Sequence, residues 1–326
     1  MRAARLERYG GPDVVGVVEV DDPEPGPGEI VVDIAAAGVN FPDLLIMDNR
    51  YQVSAPLPFT PGSEFAGTVS AIGDGVERRA VGERVVGAQF VGAFAEKIVV
   101  AATAVSPTPD GMSSVDAAAF RVTYRTAVSS LSSIAGTEPG EWVAVLGSSG
   151  GVGTATIDVA KRLGAHVVAV ARGTAKTAIC SARGADAVID ATTEDVKARI
   201  KEITDGGADV VIDPIGGPLA EEALRAMRWG GRFVTVGYAV GEIPRIPLNL
   251  VLLKGVTIKG CELRTYSDHA PEAARADERL LASLVAGGMR PLVSAVHPLD
   301  DIRAALRTVA EHRVTGKIVL AVRPDE

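Results

Sequence analysis

The sequence has little cysteine and no long apolar run. Only two cysteines, Cys180 and Cys261, occur in 326 residues, and they lie far apart. A disulfide framework and a cysteine-rich structural zinc loop are therefore excluded. No stretch approaches the roughly 20 apolar residues of a membrane-spanning helix. Residues 1–8 are charged where a secretory signal would be apolar, so we expect a soluble, cytoplasmic protein.

Basic residues are outnumbered by acidic ones. Lys and Arg number 33 against 41 for Asp and Glu, the net charge is −8, and no basic run occurs. This balance predicts that neither nucleic acid nor an anionic membrane is a partner. The 47% hydrophobic content is sufficient for a substantial core. At roughly 150 residues per domain, the length predicts about two domains.

The first third of the chain is rich in short β-branched runs separated by glycine and proline. This pattern is typical of a compact β domain with irregular loops. The runs predict strands over 14–20, 30–36, 62–72, 84–87 and 93–100.

Strand and helix patterns alternate after a helical stretch over 115–130, which we expect to form more than one helix. This alternation predicts a parallel sheet with right-handed crossovers, the doubly wound nucleotide-binding fold. The tail predicts helices over 273–286 and 299–311, and a last strand over 316–322 that folds back onto the N-terminal β domain. The central strands are predicted over 142–146, 166–171, 187–190, 208–213, 232–237 and 256–263, and the helices over 154–163, 175–183, 196–204 and 219–229.

A glycine-rich turn follows the strand predicted over 142–146. Glycine lets the backbone approach a pyrophosphate closely, and the amides of the helix N-terminus then offset its charge. A tight structural turn is the alternative. Ser148 takes the place of the first glycine in the G-x-G-x-x-G pattern, so its hydroxyl and that of Ser149 are candidate phosphate donors. The predicted cofactor contacts are Ser148, Ser149, Gly150, Gly151 and Val152.

The next strand bears on the choice of cofactor. NAD-preferring sites place an acidic residue near its end to hold the ribose 2′-hydroxyl. Here Arg172 follows the strand, Lys176 lies one helical turn later, and no carboxylate occurs until Asp186. Two cations at this place favour NADPH over NADH, because they match a 2′-phosphate. The alternative is that both belong to an ordinary solvated surface.

Six segments spread over nearly the whole chain resemble one known family. They are similar to the medium-chain dehydrogenase/reductase superfamily, in its zinc-independent quinone oxidoreductase branch, the zeta-crystallin-like enzymes. The segments are AGVNFPD at 37–43, NRYQ at 49–52, PFTPGSEFAG at 58–67, TYRTA at 123–127, SSGGVG at 148–153 and TGK at 315–317.

The resemblance implies an α/β chain of two domains with a cleft between them. A GroES-like β domain would be formed by 1–118 and 264–326, and a Rossmann NADP(H)-binding domain by 119–263. The resemblance also implies a homodimer, which in this family is often joined through the last Rossmann strand, here 256–263. The leading activity it implies is NADPH-dependent reduction of quinones or α,β-unsaturated carbonyls.

The zinc ligands of the related alcohol dehydrogenases are replaced in this sequence. Asn40 stands where those relatives have a cysteine, and Ser63 where they have a histidine. An amide and a hydroxyl are poor zinc ligands compared with thiolate and imidazole. We therefore expect no metal. Without a Lewis acid, reduction of a conjugated acceptor is easier than oxidation of an unactivated alcohol.

The resemblance also suggests residues around the transferred hydride. Tyr51 is a candidate acid or oxyanion donor, or a packed loop aromatic. Asn40 is expected to contact the nicotinamide ribose or the substrate, and Thr123 to orient the nicotinamide. Asp43 either hydrogen-bonds to the substrate or serves a structural turn, and Lys317 lies either near the cofactor or on the surface.

Further candidates follow the later strands. Gly216, Gly237 and Tyr238 come after strand ends, where open α/β sheets bind ligands, and are predicted cofactor contacts. Arg264 is either a substrate-side cation or a surface residue. The branch commonly has a tyrosine that assists the 2′-phosphate where this sequence has Ala191.

Three functions remain open at this point. The first is an NADPH-dependent quinone or enone reductase. The second is a 2-enoyl-thioester reductase, for which a basic rim would bind the phosphates of an acyl-CoA. The third is a non-enzymatic NADP(H)-binding structural or sensing protein. The arginines that bear on the second are Arg50, Arg121, Arg125 and Arg264.

Overall fold

The computed structural model describes residues 1–323, and its contacts divide the chain into two units. We call Met1–Val122, together with the described residues from Arg290 onward, the β unit, and Thr123–Met289 the central unit. The predicted boundary after residue 263 therefore falls inside the central unit. The reason is local packing, since the Ser133 hydroxyl donates to Asp277 at 2.6 Å and so ties the segment beyond 263 to the central unit.

Strands dominate the N-terminal part of the chain, as predicted. Helix α2 contains the division between the units and continues into a π-helical turn at Ser130–Ala135, so the predicted 115–130 stretch is one helix and not several. The elements are β1 (Arg2–Arg5), β2 (Gly16–Glu19), β3 (Glu29–Val39), α1 (Phe41–Met47), β4 (Glu64–Ile72), β5 (Arg84–Ala88), β6 (Lys97–Ala101), β7 (Val105–Pro107) and α2 (Ser114–Ser129).

The central unit is the predicted doubly wound sheet. Its six strands are all parallel, in the order β10-β9-β8-β11-β12-β13, and every residue of β11 is buried. The elements are β8 (Trp142–Leu146), α3 (Gly151–Arg162), β9 (His166–Ala171), α4 (Thr174–Ala182), β10 (Ala187–Asp190), α5 (Val196–Ile203), β11 (Ala208–Asp213), α6 (Pro218–Arg225), β12 (Met227–Thr235), α7 (Leu248–Lys254), β13 (Thr257–Gly260), α8 (Leu263–His269) and α9 (Pro271–Ala286).

The C-terminal segment completes the sheet of the β unit, which confirms the predicted return of the tail. It forms β14 (Val293–Pro298), α10 (Ile302–Ala310) and β15 (Lys317–Ala321). β15 pairs antiparallel with β3, and Ile318 lies opposite Val39. The strand order is β14-β15-β3-β4-β5-β7, with β6 also paired to β3.

Several predicted elements of the central unit have other limits in the structure, and the strand predicted over 232–237 spans Met227–Thr235. The helix predicted over 219–229 ends at Arg225, because the chain from Met227 joins the sheet as β12 beside β11. The strand predicted over 256–263 ends at Gly260, and Leu263 begins α8. Helix α7 was not predicted. Its leucines are largely exposed, so its pattern lacks the apolar face that marks a core helix.

Candidate functional site

Strand pairing brings five polar side chains together in the β unit. Asn40 and Asp43 lie where β3 passes into α1, Ser63 and Glu64 where β4 begins, and Lys317 where β15 begins. Since β15 and β4 both pair with β3, these three places are adjacent. We call Asn40, Asp43, Ser63, Glu64 and Lys317 the buried cluster, although Ser63 is only half-buried.

Lys317 lies at the centre of the buried cluster. Its ammonium donates to Asn40 Oδ1 at 2.6 Å, to Glu64 Oε2 at 3.0 Å and to the Val39 carbonyl at 3.1 Å. The Glu64 side chain is 0% exposed and that of Lys317 is 4% exposed. An ammonium has three N–H donors, so all of them are used. The alternative of a surface lysine is therefore wrong, and within the β unit Lys317 orients Asn40 and Glu64.

Asn40 and Asp43 hold one another at the start of α1. Asp43 Oδ2 accepts from the backbone N–H of Asn40 at 2.8 Å, the carboxylate half of a capping box. Asp43 Oδ1 accepts from the Ser63 hydroxyl at 2.7 Å. Burial raises the pKa of Asp43 to about 6, although both hydrogen bonds and the charge of Lys317 act against the rise. The structural-turn alternative for Asp43 is thus observed, together with a perturbed carboxyl group.

Both ends of the Asn40 side-chain amide form hydrogen bonds within the buried cluster. Its Nδ2 donates to the Gly38 carbonyl at 3.3 Å and to Glu64 Oε2 at 3.2 Å, and its Oδ1 accepts from Lys317. Glu64 Oε1 accepts from the Val122 amide at 2.7 Å. A direct contact between the Asn40 side chain and a cofactor or substrate would require the remaining lone pair of Oδ1.

The buried cluster does not fit zinc. The side chains that replace the cysteine and the histidine are the amide of Asn40 and the hydroxyl of Ser63, and both are weak ligands. The Lys317 ammonium lies 2.6 Å from Asn40 Oδ1, so this place already holds a buried positive charge that would repel a divalent cation. Within residues 1–323, no group of three or more His, Cys, Asp or Glu side chains is arranged to hold a metal.

The glycine-rich turn of the central unit fits a dinucleotide pyrophosphate. It connects β8 to α3, which begins at Gly151, and Gly150 at the N-cap has no side chain to cap the first turn. The first amides of the helix therefore lack side-chain partners, as phosphate binding requires. Gly153 allows the close packing of helix and strand, since a Cβ there would lie 2.5 Å from the Gly147 carbonyl oxygen.

Ser148 differs from its predicted role. Its side chain is completely buried, and its hydroxyl donates to the Val170 carbonyl at 2.9 Å and lies 3.3 Å from the Cys180 sulfur. A hydroxyl has a single proton to donate, so this geometry disfavours its side chain as a phosphate donor. Ser149 and the backbone of Gly150 to Val152 remain the candidates.

The turn after β9 carries the two predicted cations. Arg172 is exposed and Lys176 is half-buried within α4. Asp190, at the end of β10, stabilises this turn, since its Oδ1 accepts from the Gly173 amide at 2.8 Å and from the Thr192 hydroxyl at 2.6 Å. These hydrogen bonds, led by that from Thr192, lower the pKa of Asp190. Sequence reasoning missed this role because the two strand ends are distant in the chain.

The turn after β11 is built around Asp213. Its buried Oδ1 accepts from the Gly216 amide at 2.8 Å, and its backbone carbonyl accepts from the Gly237 amide at 3.3 Å. Gly216 has a φ of +69°, and a Cβ there would lie 2.7 Å from a carbonyl oxygen, so glycine is required. Tyr238 follows and is 38% exposed. The carboxyl edge of the sheet thus presents backbone, as a nucleotide site does.

The other predicted residues have mixed surroundings. Tyr51 is half-buried, and its ring centroid lies 6.3 Å from that of Phe90, as the packed-aromatic alternative expects. Thr123 is buried in α2. Arg264 is exposed on α8 and lies 3.6 Å from a Glu262 carboxylate oxygen, which fits a surface residue. The catalytic assignments of Tyr51 and Thr123 stay predictions.

Comparison with known proteins agrees with this arrangement. Residues 26–110 match the alcohol dehydrogenase GroES-like domain, and residues 151–279 match the family described as zinc-binding dehydrogenase. The quinone oxidoreductase-like protein 2 homolog of Nematostella vectensis is 35% identical over 300 residues, 90% of this chain and 82% of that protein. The Escherichia coli quinone oxidoreductase, solved in complex with NADPH, superposes with a TM-score of 0.90 at 29% identity over 99% of this chain and 100% of that one.

The fold, the glycine-rich turn and the relatives together define the class of protein. The chain belongs to the medium-chain dehydrogenase/reductase superfamily of nicotinamide-dependent oxidoreductases. Within it, the chain is a member of the quinone oxidoreductase, or zeta-crystallin-like, branch, which confirms the resemblance of its motifs. Another relative, a mycocerosic acid synthase-like polyketide synthase of Mycolicibacterium smegmatis, is 31% identical over 308 residues, 92% of this chain and 14% of that protein.

None of the helices within residues 1–323 has the length and apolar character to cross a bilayer. The cytoplasmic location stays a prediction of the sequence.

Proposed function

We propose that the protein is an NADPH-dependent reductase that transfers hydride to quinones or α,β-unsaturated carbonyls without zinc. The observation that carries the proposal is the carboxyl edge of the central sheet. There the uncapped N-terminus of α3 follows β8, the strand between β9, which Arg172 follows, and β11, which ends at Asp213. Amides for a pyrophosphate and cations for a 2′-phosphate are the two features that an NADPH site needs. Relatives named as quinone oxidoreductases support the choice of acceptor.

Each of the two units would have its own task. The bound nicotinamide would supply the hydride. The turn from Ser149 to Val152 would bind the pyrophosphate, and Arg172 with Lys176 would bind the 2′-phosphate. Asp213 would hold the Gly216 turn in shape, since it already accepts the Gly216 amide at 2.8 Å. In the β unit, Lys317 and Glu64 would keep Asn40 in one orientation.

Negative charge develops on the acceptor oxygen when hydride adds to a conjugated carbonyl or a quinone. A hydrogen-bond donor aimed at that oxygen lowers the barrier. Tyr51 is our candidate for this donor, and Thr123 our candidate for orienting the nicotinamide. Reduction needs no Lewis acid under this scheme, in keeping with a donor set at Asn40 and Ser63 that does not suit zinc.

The proposal is tested by NADPH oxidation with several acceptors in parallel. Ortho-quinones, simple enones and crotonyl-CoA are offered at equal concentrations, and absorbance of the reduced nicotinamide is followed. We expect turnover with quinones or enones, and a lower KM for NADPH than for NADH. Absence of turnover with every acceptor, despite tight binding of NADPH, would favour the non-enzymatic alternative of a structural or sensing protein.

A 2-enoyl-thioester reductase is the second candidate. The observation that favours it is the similarity of nearly the whole chain to a segment of a polyketide synthase. The basic rim it would need is only partly available, because Arg125 pairs with Glu278 at 3.1 Å and donates to Ser267 at 2.9 Å. A kcat/KM for crotonyl-CoA well above those for quinones and enones would make this the better assignment.

We also propose that the protein is a homodimer joined along β13 and α7. β13 is an edge strand of the central sheet, with one side unpaired. Large apolar side chains are exposed nearby, among them Trp229 at 78%, Leu248 at 77% and Leu252 at 81%. Such a patch is typical of a protein–protein interface. Light scattering should give about twice the chain mass, and Leu252→Arg should give monomers while Leu57→Arg, at an exposed position elsewhere, should not.

A further inference from the structure

Ser63 is the most exposed member of the buried cluster, since Asn40 is 6% exposed and Lys317 4%. Asp43 is 1% exposed and Glu64 0%, whereas Ser63 is half-buried. Its Oγ lies 2.7 Å from Asp43 Oδ1, and Asn40 Nδ2 is at the outer limit of contact, at 3.5 Å. The second oxygen of Asp43, Oδ2, accepts a hydrogen bond from the backbone N–H of Asn40. Within the β unit, the Ser63 hydroxyl is therefore the hydrogen-bonded group that links Asp43 to the more exposed side of the cluster.

The hydrogen bond between these two side chains can run in either direction. When Asp43 is ionised, the Ser63 hydroxyl donates to it, and its proton is not available to a ligand. When Asp43 is protonated on Oδ1, it donates to Ser63 Oγ, because a hydroxyl accepts as well as donates. The Ser63 proton is then released toward the exposed side. Protonation of Asp43 thus turns Ser63 from an occupied donor into an available one.

Burial of Asp43, in a cluster whose other two charges cancel, favours a stored proton. Glu64 on β4 and Lys317 on β15 are the charged groups that act on it, and they form an ion pair with each other at 3.0 Å. With that pair neutral overall, a protonated Asp43 leaves the cluster uncharged and an ionised one leaves a net buried negative charge. His312 follows α10, on the side of α1 that faces that helix. Its ring centroid lies 6.2 Å from that of Phe41, the first residue of α1. Burial raises the pKa of Asp43 to about 6, so the proton is retained closer to neutrality than on an exposed aspartate.

We propose that Ser63 is the proton donor of the reduction and that Asp43 is the proton store behind it. This assignment rests on the proposed reductase function. Hydride addition to the β-carbon of an enone moves the π electrons onto the carbonyl oxygen and gives an enolate. The α-carbon of the enolate takes the proton of Ser63 Oγ, so that the carbonyl re-forms, and the Asp43 O–H bond breaks as its proton replaces the one lost from Ser63. NADPH is oxidised, the alkene is reduced, and Asp43 regains a proton from water through Ser63 after product leaves.

Substitution at Ser63 tests the assignment. Ser63→Ala removes the donor, Ser63→Thr keeps a hydroxyl, and Ser70→Ala removes an exposed serine on the same strand as a control. We expect Ser63→Ala to lower kcat on an enone about 100-fold, the usual range for loss of a general acid. NADPH affinity, measured by fluorescence titration, should be unchanged. Ser63→Thr should stay within about fivefold of wild type, and Ser70→Ala should match it.

The pH profile separates proton donation from a structural role. With the wild type, kcat on an enone should fall as pH rises above about 6, because Asp43 loses the stored proton. In Asp43→Asn the amide always donates to Ser63, so this limb should disappear, and the solvent deuterium isotope effect on kcat should change. Ser63→Ala should lose the limb too.

The outcomes distinguish this proposal from the function on which it rests. If wild type reduces no acceptor, the reductase function itself fails. If wild type turns over but Ser63→Ala keeps more than a third of its kcat, the proton assignment is overturned and the function stands. Equal losses of kcat and NADPH affinity in Ser63→Ala, or a pH limb that persists in Asp43→Asn, also overturn it.

Discussion

Removal of the Lys317 ammonium tests the central feature of the β unit. Lys317→Met keeps a long side chain of similar volume and deletes only the charge and its three hydrogen bonds. Glu64 would then keep its bonds from the Val122 amide at 2.7 Å and from Asn40 at 3.2 Å, but its charge would be buried without an opposite charge. Breaking one side of a buried ion pair costs about 3–5 kcal/mol of unfolding free energy. We expect a loss in this range for Lys317→Met.

A second substitution at Glu64 removes the reason for the loss. In Lys317→Met/Glu64→Gln no uncompensated charge remains, so the double variant should be less destabilised than the sum of the two single changes by about 2 kcal/mol or more. Lys97→Met is the matched control. Its ion pair with Asp22, at 2.6 Å, is partly solvated, with Asp22 54% exposed, and such pairs contribute about 1 kcal/mol or less.

Urea unfolding followed by circular dichroism gives these free energies. Both tryptophans, Trp142 and Trp229, lie in the central unit, so their fluorescence reports that unit separately. We expect the Lys317 variant to show its main loss in the far-ultraviolet signal that includes the β unit. A loss below about 1 kcal/mol for Lys317→Met, or additivity within about 0.5 kcal/mol in the double variant, would refute the reasoning.

Three further predictions concern the cofactor, the acceptor and pH. Arg172→Ala should raise the KM for NADPH at least tenfold while changing that for NADH little; equal changes in steady-state assays would contradict the 2′-phosphate assignment. Tyr51→Phe should lower kcat about 100-fold if its hydroxyl stabilises the oxyanion, and unchanged turnover would reduce it to a packed aromatic. Since the pKa of Asp43 is raised from 3.8 to about 6, the folded state keeps a proton that the unfolded state releases. The contribution of this residue to stability should therefore decline by about 3 kcal/mol as pH rises from about 4 to 6, and Asp43→Asn should remove that slope from the urea midpoints.

Local patterns were sufficient for most of the central unit. Buried β-branched runs predicted β8, β9, β10 and β11 to the residue, because a strand covered on both faces must be apolar throughout. The glycine-rich turn after β8 was predicted as well, since only glycine fits the close packing at Gly153. Helix α7 and strand β14 were missed. α7 buries Leu250 but exposes its other three leucines, and β14 buries none of its residues deeply, so neither shows the contrast on which pattern reading depends.

The candidate site was predicted less completely than the fold. Asp213 and Asp190 were missed because each acts on a backbone amide in a neighbouring turn, and such a bond leaves no sequence pattern. Ser148 was assigned a phosphate contact that its complete burial disfavours. Sequence reasoning considered Ser63 only as a missing zinc ligand, since its bond to Asp43 depends on the pairing of β3 with β4.

Residue order alone determined the superfamily, the alternation that builds the parallel sheet, the glycine-rich turn after β8 and the two cations that follow β9. These features depend on residues that are close in sequence, within one or two elements, because backbone geometry and burial constrain each such segment directly. The tertiary structure decided the environment of each charge. Lys317 and Asn40 are separated by 277 positions and meet only because β15 pairs with β3. No local pattern encodes the burial of this cluster. There Lys317 forms an ion pair with Glu64, and burial raises the pKa of Asp43.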